Sequence, residues 1–317
     1  LSLALQGGGA HGAFTWGVLD RLLEDDRFAF DGLSGTSAGA LNAAVMLSGW
    51  IAGGNDGARA SLARFWRRVA DLTVLDPGRG PMQRWLEQFL PGWSNPFTSL
   101  ETMTRVMSPA QFNPFDLNPL RNILAEQVNV EAIRACASSR LFIGATNVRS
   151  GRLRLFTNED LSIDALLASS CLPTLQRAVR VGDESFWDGG YSGNPPLVPL
   201  VEHCRARDVL LVQLNPVEME DEPASAQDIL HRVNQIVFNA PLMSELDGLD
   251  MARRVAREGF SIGGRMRRRV RRLRLHRIDA TAEIGALAAN SMLRPEWPML
   301  ERLRDQGRAA VDRWLNP

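Results

Sequence analysis

Lysine is absent from this chain of 317 residues, so all 36 basic side chains are arginines. Its absence excludes chemistry that needs a lysine amine: a Schiff base, a Ser–Lys pair or the lysine of a P-loop. Only three cysteines are present, Cys136, Cys171 and Cys204, and their odd number and wide spacing indicate neither a disulfide framework nor a zinc site. We expect reduced, mostly buried thiols and no metal or other cofactor.

Long apolar runs are also missing. No stretch of 18 apolar residues is present, which argues against a transmembrane helix, and the start lacks the charged-then-apolar pattern of a signal peptide. We therefore expect a cytoplasmic or peripheral membrane location. The 36 acidic residues balance the 36 basic ones, so the chain has no overall field that would attract a nucleic acid, and we expect no such partner.

Predicted strands and helices alternate along most of the chain, which is typical of an α/β fold with a mostly parallel sheet. Residues 1–215 are expected to form the core. Within it, a helical insertion rich in aromatic residues occupies about 54–130, after a helix break at Gly53-Gly54. Residues 216–317 are expected to form a C-terminal extension of helices and a strand packed on the same core. The oligomeric state is left open.

The stretch Gly35-Thr36-Ser37-Ala38-Gly39 has the Gly-x-Ser-x-Gly pattern of a nucleophile elbow, a sharp turn from a strand into a helix with the serine at its apex. An apolar run precedes it and a helix-favouring run follows it, as the elbow requires. The pattern alone is weak evidence, because an ordinary glycine-rich turn produces the same five residues.

A second glycine-rich turn follows the first predicted strand. Gly7-Gly8-Gly9-Ala10-His11-Gly12 places a row of backbone N–H groups at the start of a helix, where they stabilise an anion. Two anions fit this pattern: a nucleotide phosphate, or the oxyanion of acyl transfer. We favour the oxyanion, because the next strand leads directly to Ser37 and a nucleotide would lie on top of that serine.

A serine nucleophile needs a base, and Asp188-Gly189-Gly190 at the end of a predicted strand could supply one. The alternative is a common Asp-Gly surface turn. None of His203, His231 and His276 follows an acid in the loop setting that a Ser-Asp-His hydrolase requires. The segment 168–173 either shapes the back of the site or, as the pattern favours, is simply the end of a helix.

Taken together and in order, these four segments resemble the patatin-like phospholipase family over roughly residues 1–215. The resemblance implies a three-layer α/β fold and calcium-independent hydrolysis of lipid acyl esters by a dyad of Ser37 and Asp188, with no catalytic histidine. It also implies an oxyanion hole in the glycine loop (Gly7, Gly8, Gly9 and Gly12), while His11 and Ala38 are candidate substrate contacts. His11 departs from the family, which usually carries Arg or Lys at this position, and this puts the head-group preference in question.

Two alternatives to a lipid ester hydrolase stay open: a thioesterase or acyltransferase with the same nucleophile, and a lipid-binding regulatory module without activity. Trp85, Phe89 and Trp93 in the insertion are candidate lid residues, although aromatics at helical spacing equally form the core of a small subdomain. An arginine-rich run is a candidate for transient membrane contact, the alternative being a solvated helix end. Its candidate residues are Arg265, Arg267, Arg268, Arg269 and Arg271.

Overall fold

The structure is a computed structural model that describes residues 1–74, 108–113, 115–219, 222–258, 264–285, 287 and 291–316. Its centre is one mixed sheet in the order β5-β6-β3-β2-β1-β7-β8, with β4 also paired to β3. The strands are β1 Ser2–Leu5, β2 Gly32–Thr36, β3 Arg140–Asn147, β4 Leu153–Thr157, β5 Val179–Val181, β6 Glu184–Asp188, β7 Asp208–Gln213 and β8 Arg274–Asp279.

Neighbouring strands from β3 through β2, β1 and β7 to β8 run parallel, whereas β4, β5 and β6 pair antiparallel at one side of the sheet. The predicted α/β class with a mostly parallel sheet is therefore confirmed. The described helices are α1 Gly12–Leu23, α2 Ala38–Val74, α3 Pro109–Phe112, α4 Pro119–Gln127, α5 Val130–Arg134, α6 Ile163–Ser169, α7 Val198–His203, α8 Ala226–Glu258, α9 Arg265–Arg272, α10 Thr281–Gly285 and α11 Trp297–Leu315.

Both faces of the sheet are covered by helices, because successive side chains of a strand point to opposite sides. Leu3 and Leu5 of β1 pack in a large core with α1, α2, α6 and α11. Ala4, between them, lies in a second core on the other face, with side chains from α7 and α8. Strand β7 accordingly has an uninterrupted apolar run over residues 209–212, all of them buried.

The break predicted at Gly53-Gly54 is present as a kink inside α2, where both residues leave helical geometry and Gly54 has a φ of 62°. The part of the chain beyond residue 215 joins the same sheet and the same core. Strand β8 pairs with β7, and α11 lies against α1. Glycine allows this close approach of the two helices, since a Cβ at Gly307 would collide with the backbone carbonyl of Phe14.

Candidate active site

Ser37 lies at the sharp turn between β2 and α2 and has a φ of 54°, a left-handed conformation that non-glycine residues rarely adopt. The two glycines of the pattern are needed because the turn is crowded. A Cβ at Gly35 would lie 2.6 Å from the backbone of Gly39, and a Cβ at Gly39 would collide with the carbonyl of Leu5 in β1. The spacing of the pattern thus follows from the packing of β2, α2 and β1 around the serine.

The backbone of Ser37 is held from behind by α6. The Ser37 N–H donates to Oγ of Ser169, the last residue of that helix, at 3.0 Å, and Ser169 is fully buried. The segment 168–173 is therefore a helix end, as the sequence favoured, and it also shapes the back of the site. The sequence carries no sign that distinguishes the two roles of Ser169.

Asp188 ends β6 with its side chain fully buried. Its Oδ1 accepts the N–H of Gly190 at 2.7 Å, whereas Oδ2 has no hydrogen bond of good geometry to any described residue. Burial raises the pKa of this carboxyl to about 7, although the hydrogen bonds from the Gly190 N–H and the Ser37 hydroxyl act to lower it. The Ser37 hydroxyl is therefore close enough to Asp188 to affect its pKa, although the two groups do not meet the geometry of a full hydrogen bond.

The chain that follows Asp188 is fastened to β2 by two buried hydroxyl groups. Ser34 Oγ donates to the carbonyl of Pro196, and Thr36 Oγ1 donates to the carbonyl of Gly193, both at 2.6 Å. These polar side chains in a buried strand bring the Asp188 turn to the elbow. Neither residue is among those predicted from the sequence, although a serine and a threonine within a buried strand are a signal from which both could be predicted.

The glycine loop lies directly over the elbow, since a Cβ at Gly7 would be 2.8 Å from the Cβ of Ser37. The Gly7 N–H donates to Asn194 Oδ1 at 2.7 Å, and the Gly12 N–H is bonded to carbonyls within the loop. The N–H groups of Gly8 and Gly9 have no acceptor among the described residues. Of the four glycines predicted to bind an oxyanion, only these two offer an unoccupied N–H.

A buried network of four side-chain amides, none of them predicted from the sequence, holds the loop in place. Gln6 Oε1 accepts the N–H groups of Leu214 and Asn215, and its Nε2 donates to Asn239 at 2.9 Å. Asn215 Nδ2 donates to the carbonyl of Gly7 at 3.0 Å, and the N–H of the same glycine donates to Asn194 Oδ1. The network joins β1, β7 and α8 around one glycine.

His11 is buried in the same loop, and its Nε2 is 2.7 Å from Oγ of Ser291. Burial, with a smaller contribution from His231, lowers the pKa of His11 to about 4, so the ring is neutral near pH 7. It therefore supplies no positive charge there. Hydrogen bonds of His231 and His276 go to Gln235 and Asp208, and His203 stacks on Phe142.

Of the remaining predicted residues, Ala38 begins α2 immediately after the serine. The five arginines of the run belong to α9, which packs against α8 and α7. Trp85, Phe89 and Trp93 lie outside the described residues. No helix in the described part of the chain has the length and apolarity to cross a membrane. Within the same residues, no three His, Cys, Asp or Glu side chains form a cluster fit for a metal ion.

Comparison with protein families places these features in a class. A family model described as Patatin-like phospholipase matches residues 3–201, which is more than half of the chain. The chain therefore belongs to the patatin-like phospholipase family, and this membership suggests lipid acyl hydrolase activity.

Among solved structures, the crystal structure of VipD from Legionella pneumophila is similar with a TM-score of 0.38 and 15% identity, over 96% of this chain and 67% of that one. A search of curated proteins found no match.

Proposed function

We propose that the protein hydrolyses acyl ester bonds of lipids, with Ser37 as the nucleophile and Asp188 as its base. The observation that carries this proposal is the carboxyl of Asp188: fully buried, lacking a formed hydrogen bond at Oδ2 and within reach of the Ser37 hydroxyl. Family membership supports the lipid substrate class. A pKa of about 7 gives Asp188 the basicity that an ordinary aspartate lacks.

In the first half of the reaction, Ser37 Oγ attacks the acyl carbonyl carbon while its proton passes to Asp188 Oδ2. The carbonyl π electrons move onto oxygen and form a tetrahedral oxyanion. Collapse of this intermediate breaks the ester C–O bond, and the leaving alcohol takes the proton from Asp188. The products are an acyl-Ser37 ester and a free alcohol, such as a lysolipid.

In the second half, water attacks the acyl-Ser37 carbonyl and gives its proton to Asp188. The serine oxygen leaves, recovers that proton, and the fatty acid is released. Both halves need the same carboxylate in its ionised form.

Charge on the carbonyl oxygen would be stabilised by the N–H groups of Gly8 and Gly9. The N–H of Ala38 is a further donor, because it lies at the N-terminal end of α2 directly after the nucleophile and the first N–H groups of a helix have no partner within it. Gly7 and Gly12 then support the loop without donating to substrate, since their N–H groups are occupied.

Transient membrane contact through the arginines of α9 stays part of this proposal. Arg265, Arg268 and Arg271 are exposed on that helix, and guanidinium groups bind lipid phosphates well.

The test is the Ser37→Ala variant of the whole chain, assayed on phospholipids, p-nitrophenyl esters and acyl-CoA, together with labelling by a fluorophosphonate probe. We expect hydrolysis and labelling to be lost together, because only the Oγ atom is removed. Ser170→Ala is a matched control: its hydroxyl bonds carbonyls in its own helix and should be dispensable. Labelling that persists in Ser37→Ala would refute the nucleophile, and turnover of acyl-CoA alone would replace the lipid ester with a thioester substrate.

A further inference from the structure

The outward side of α8 is apolar and exposed. Large aliphatic side chains recur along it at spacings of three and four residues, which places them on one side of the helix. Each has between 38% and 52% of its surface exposed. We call these residues the α8 stripe: Ile229, Leu230, Val233, Ile236 and Val237. Met251 and Val255 continue the same side further along the helix and are more exposed still.

The opposite side of α8 is firmly packed, so the stripe is not a consequence of a loosely attached helix. Leu242 and Leu249 are buried in the second core. Glu245 accepts the N–H groups of Leu197 and Val198 at 2.6 and 3.0 Å, at the start of α7. The helix is thus fixed with its apolar stripe facing outward, an arrangement that marks an interaction site on a protein surface.

The stripe is continuous with the candidate active site. Phe238 follows Ile236 and Val237 directly, packs edge-on against Tyr191 with ring centroids 4.9 Å apart, and occupies the space that a Cβ at Gly190 would need. Gly190 is also the residue whose N–H bonds Asp188. A surface that docks on the stripe would therefore lie beside the proposed base.

The surface around the α8 stripe carries positive charge at its C-terminal end. Exposed arginines follow the stripe, namely Arg254 and Arg257 at the end of α8 and those of the adjoining α9. This combination of an apolar face and flanking cations is suited to an anionic lipid surface, in which aliphatic side chains enter the acyl boundary and guanidinium groups meet phosphates. Exposed carboxylates oppose this attraction: Glu218 and Glu222 precede α8, and Asp228, Asp247 and Asp250 lie on it. The stripe must therefore supply most of the binding.

We propose that the α8 stripe is the surface by which the protein docks on a lipid bilayer or micelle. The choice of a lipid as occupant rests on the proposed function, since the substrate is then drawn from the surface on which the stripe sits. Docking itself does not require Ser37.

The test measures partition of the whole chain between buffer and vesicles, either of phosphatidylcholine alone or with phosphatidylglycerol added. In the double variant Val233→Ser, Ile236→Ser we expect partition to fall about tenfold or more in both compositions, because two aliphatic side chains no longer enter the apolar layer. Leu117→Ser is the matched control, an exposed leucine outside α8. Hydrolysis of a water-soluble short-chain ester should be unchanged in both variants.

Three results would overturn the proposal: wild-type protein that does not bind vesicles, a double variant that partitions like the wild type, or a double variant whose main change is loss of a dimer in solution. The last would make the stripe an interface between two copies. Ser37→Ala separates this proposal from the proposed function, because it should bind vesicles as the wild type does while hydrolysing nothing. If a protein with an intact stripe binds vesicles but hydrolyses no lipid ester, the docking proposal is supported and the proposed function is not.

Discussion

Asp188 and His11 are two buried titratable groups in the two segments that meet at Ser37, and burial makes both neutral forms favourable. The pKa of Asp188 rises to about 7 and that of His11 falls to about 4. They differ in how fully they are bonded. His11 Nε2 has Ser291 as a partner at 2.7 Å, whereas Asp188 Oδ2 has no formed hydrogen bond to a described residue.

This difference in hydrogen bonding distinguishes the two residues: Asp188 can exchange a proton, whereas His11 holds the glycine loop in place. A pKa near 7 lets Asp188 lose and regain a proton at neutral pH, and under the proposed function its unpartnered oxygen is the acceptor of the Ser37 proton. A histidine with a pKa near 4 is a neutral packing group at the same pH. Replacing Asp188 by asparagine and His11 by glutamine, neither of which titrates, should therefore change the activity by unequal amounts.

The largest effect is expected for Asp188→Asn. An amide cannot accept the serine proton, so kcat/KM for ester hydrolysis should fall by about 10³-fold or more. In the wild type, activity should rise as pH increases towards about 7 and then level off, since the base must be ionised. Near-wild-type hydrolysis by the variant, or a flat wild-type profile between pH 5 and 8, would contradict this role.

The same variant has an expected effect on stability. Because the folded pKa of Asp188 lies above the ordinary value, the folded state holds this proton more tightly, and stability falls as pH rises from about 4 to about 7. Asparagine does not ionise, so between pH 5 and pH 8 the wild type should lose up to about 3 kcal/mol more stability than the variant. Denaturant unfolding at pH 5 and pH 8 measures this difference.

The positions of Ser37 and Asp188 as candidate site residues could be predicted from the sequence. Ser37 and Asp188 sit in short motifs whose glycines can be read directly from the sequence. The packing that requires these glycines is only partly local: a Cβ at Gly35 meets Gly39, whereas Cβ atoms at Gly39 and Gly189 would collide with carbonyls of distant strands. The strand order and the amide network could not be predicted. Gln6, Asn194, Asn215 and Asn239 are far apart in sequence, and only the assembled fold brings them to one loop.

The exposed stripe of α8 illustrates a second limit. Its apolar residues recur at spacings of three and four in the sequence, and they lie on the helix Ala226–Glu258. Periodicity shows which residues share a face, but whether that face is buried depends on what the rest of the chain packs against it. The side that includes Leu242 and Leu249 is buried, and the stripe is not.

An intermediate effect is expected for Asn194→Ala, which tests the glycine-loop side of the comparison. Asn194 is a positioning residue: its Oδ1 holds the Gly7 N–H, and its Nδ2 donates to the carbonyl of Phe238 at 3.1 Å. Without it the donors at Gly8 and Gly9 lose their alignment, and kcat should fall about 10- to 100-fold with little change in KM.

Asn147→Ala is the matched control for this variant. Asn147 is also nearly buried, but it bonds Glu184 and the turn after β3, not the glycine loop. Both variants should lose folding stability, and only Asn194→Ala should lose kcat. An equal loss of kcat in the two would show that Asn194 matters for folding alone.

The smallest effect on activity is expected for His11→Gln, which keeps a hydrogen-bonding group towards Ser291 but cannot titrate. Activity at pH 7 should change by less than about threefold, because the wild-type ring is already neutral. A histidine with a lowered folded pKa contributes full stability above its unfolded value near 6.5 and loses it as pH falls towards 4. The wild type should therefore lose up to about 3 kcal/mol more than the variant between pH 7 and pH 4. The control is His203→Gln, at an exposed histidine, which should leave this acid sensitivity unchanged. If the His11→Gln protein is as acid-sensitive as the wild type, the buried ring of His11 is not the source of the acid sensitivity.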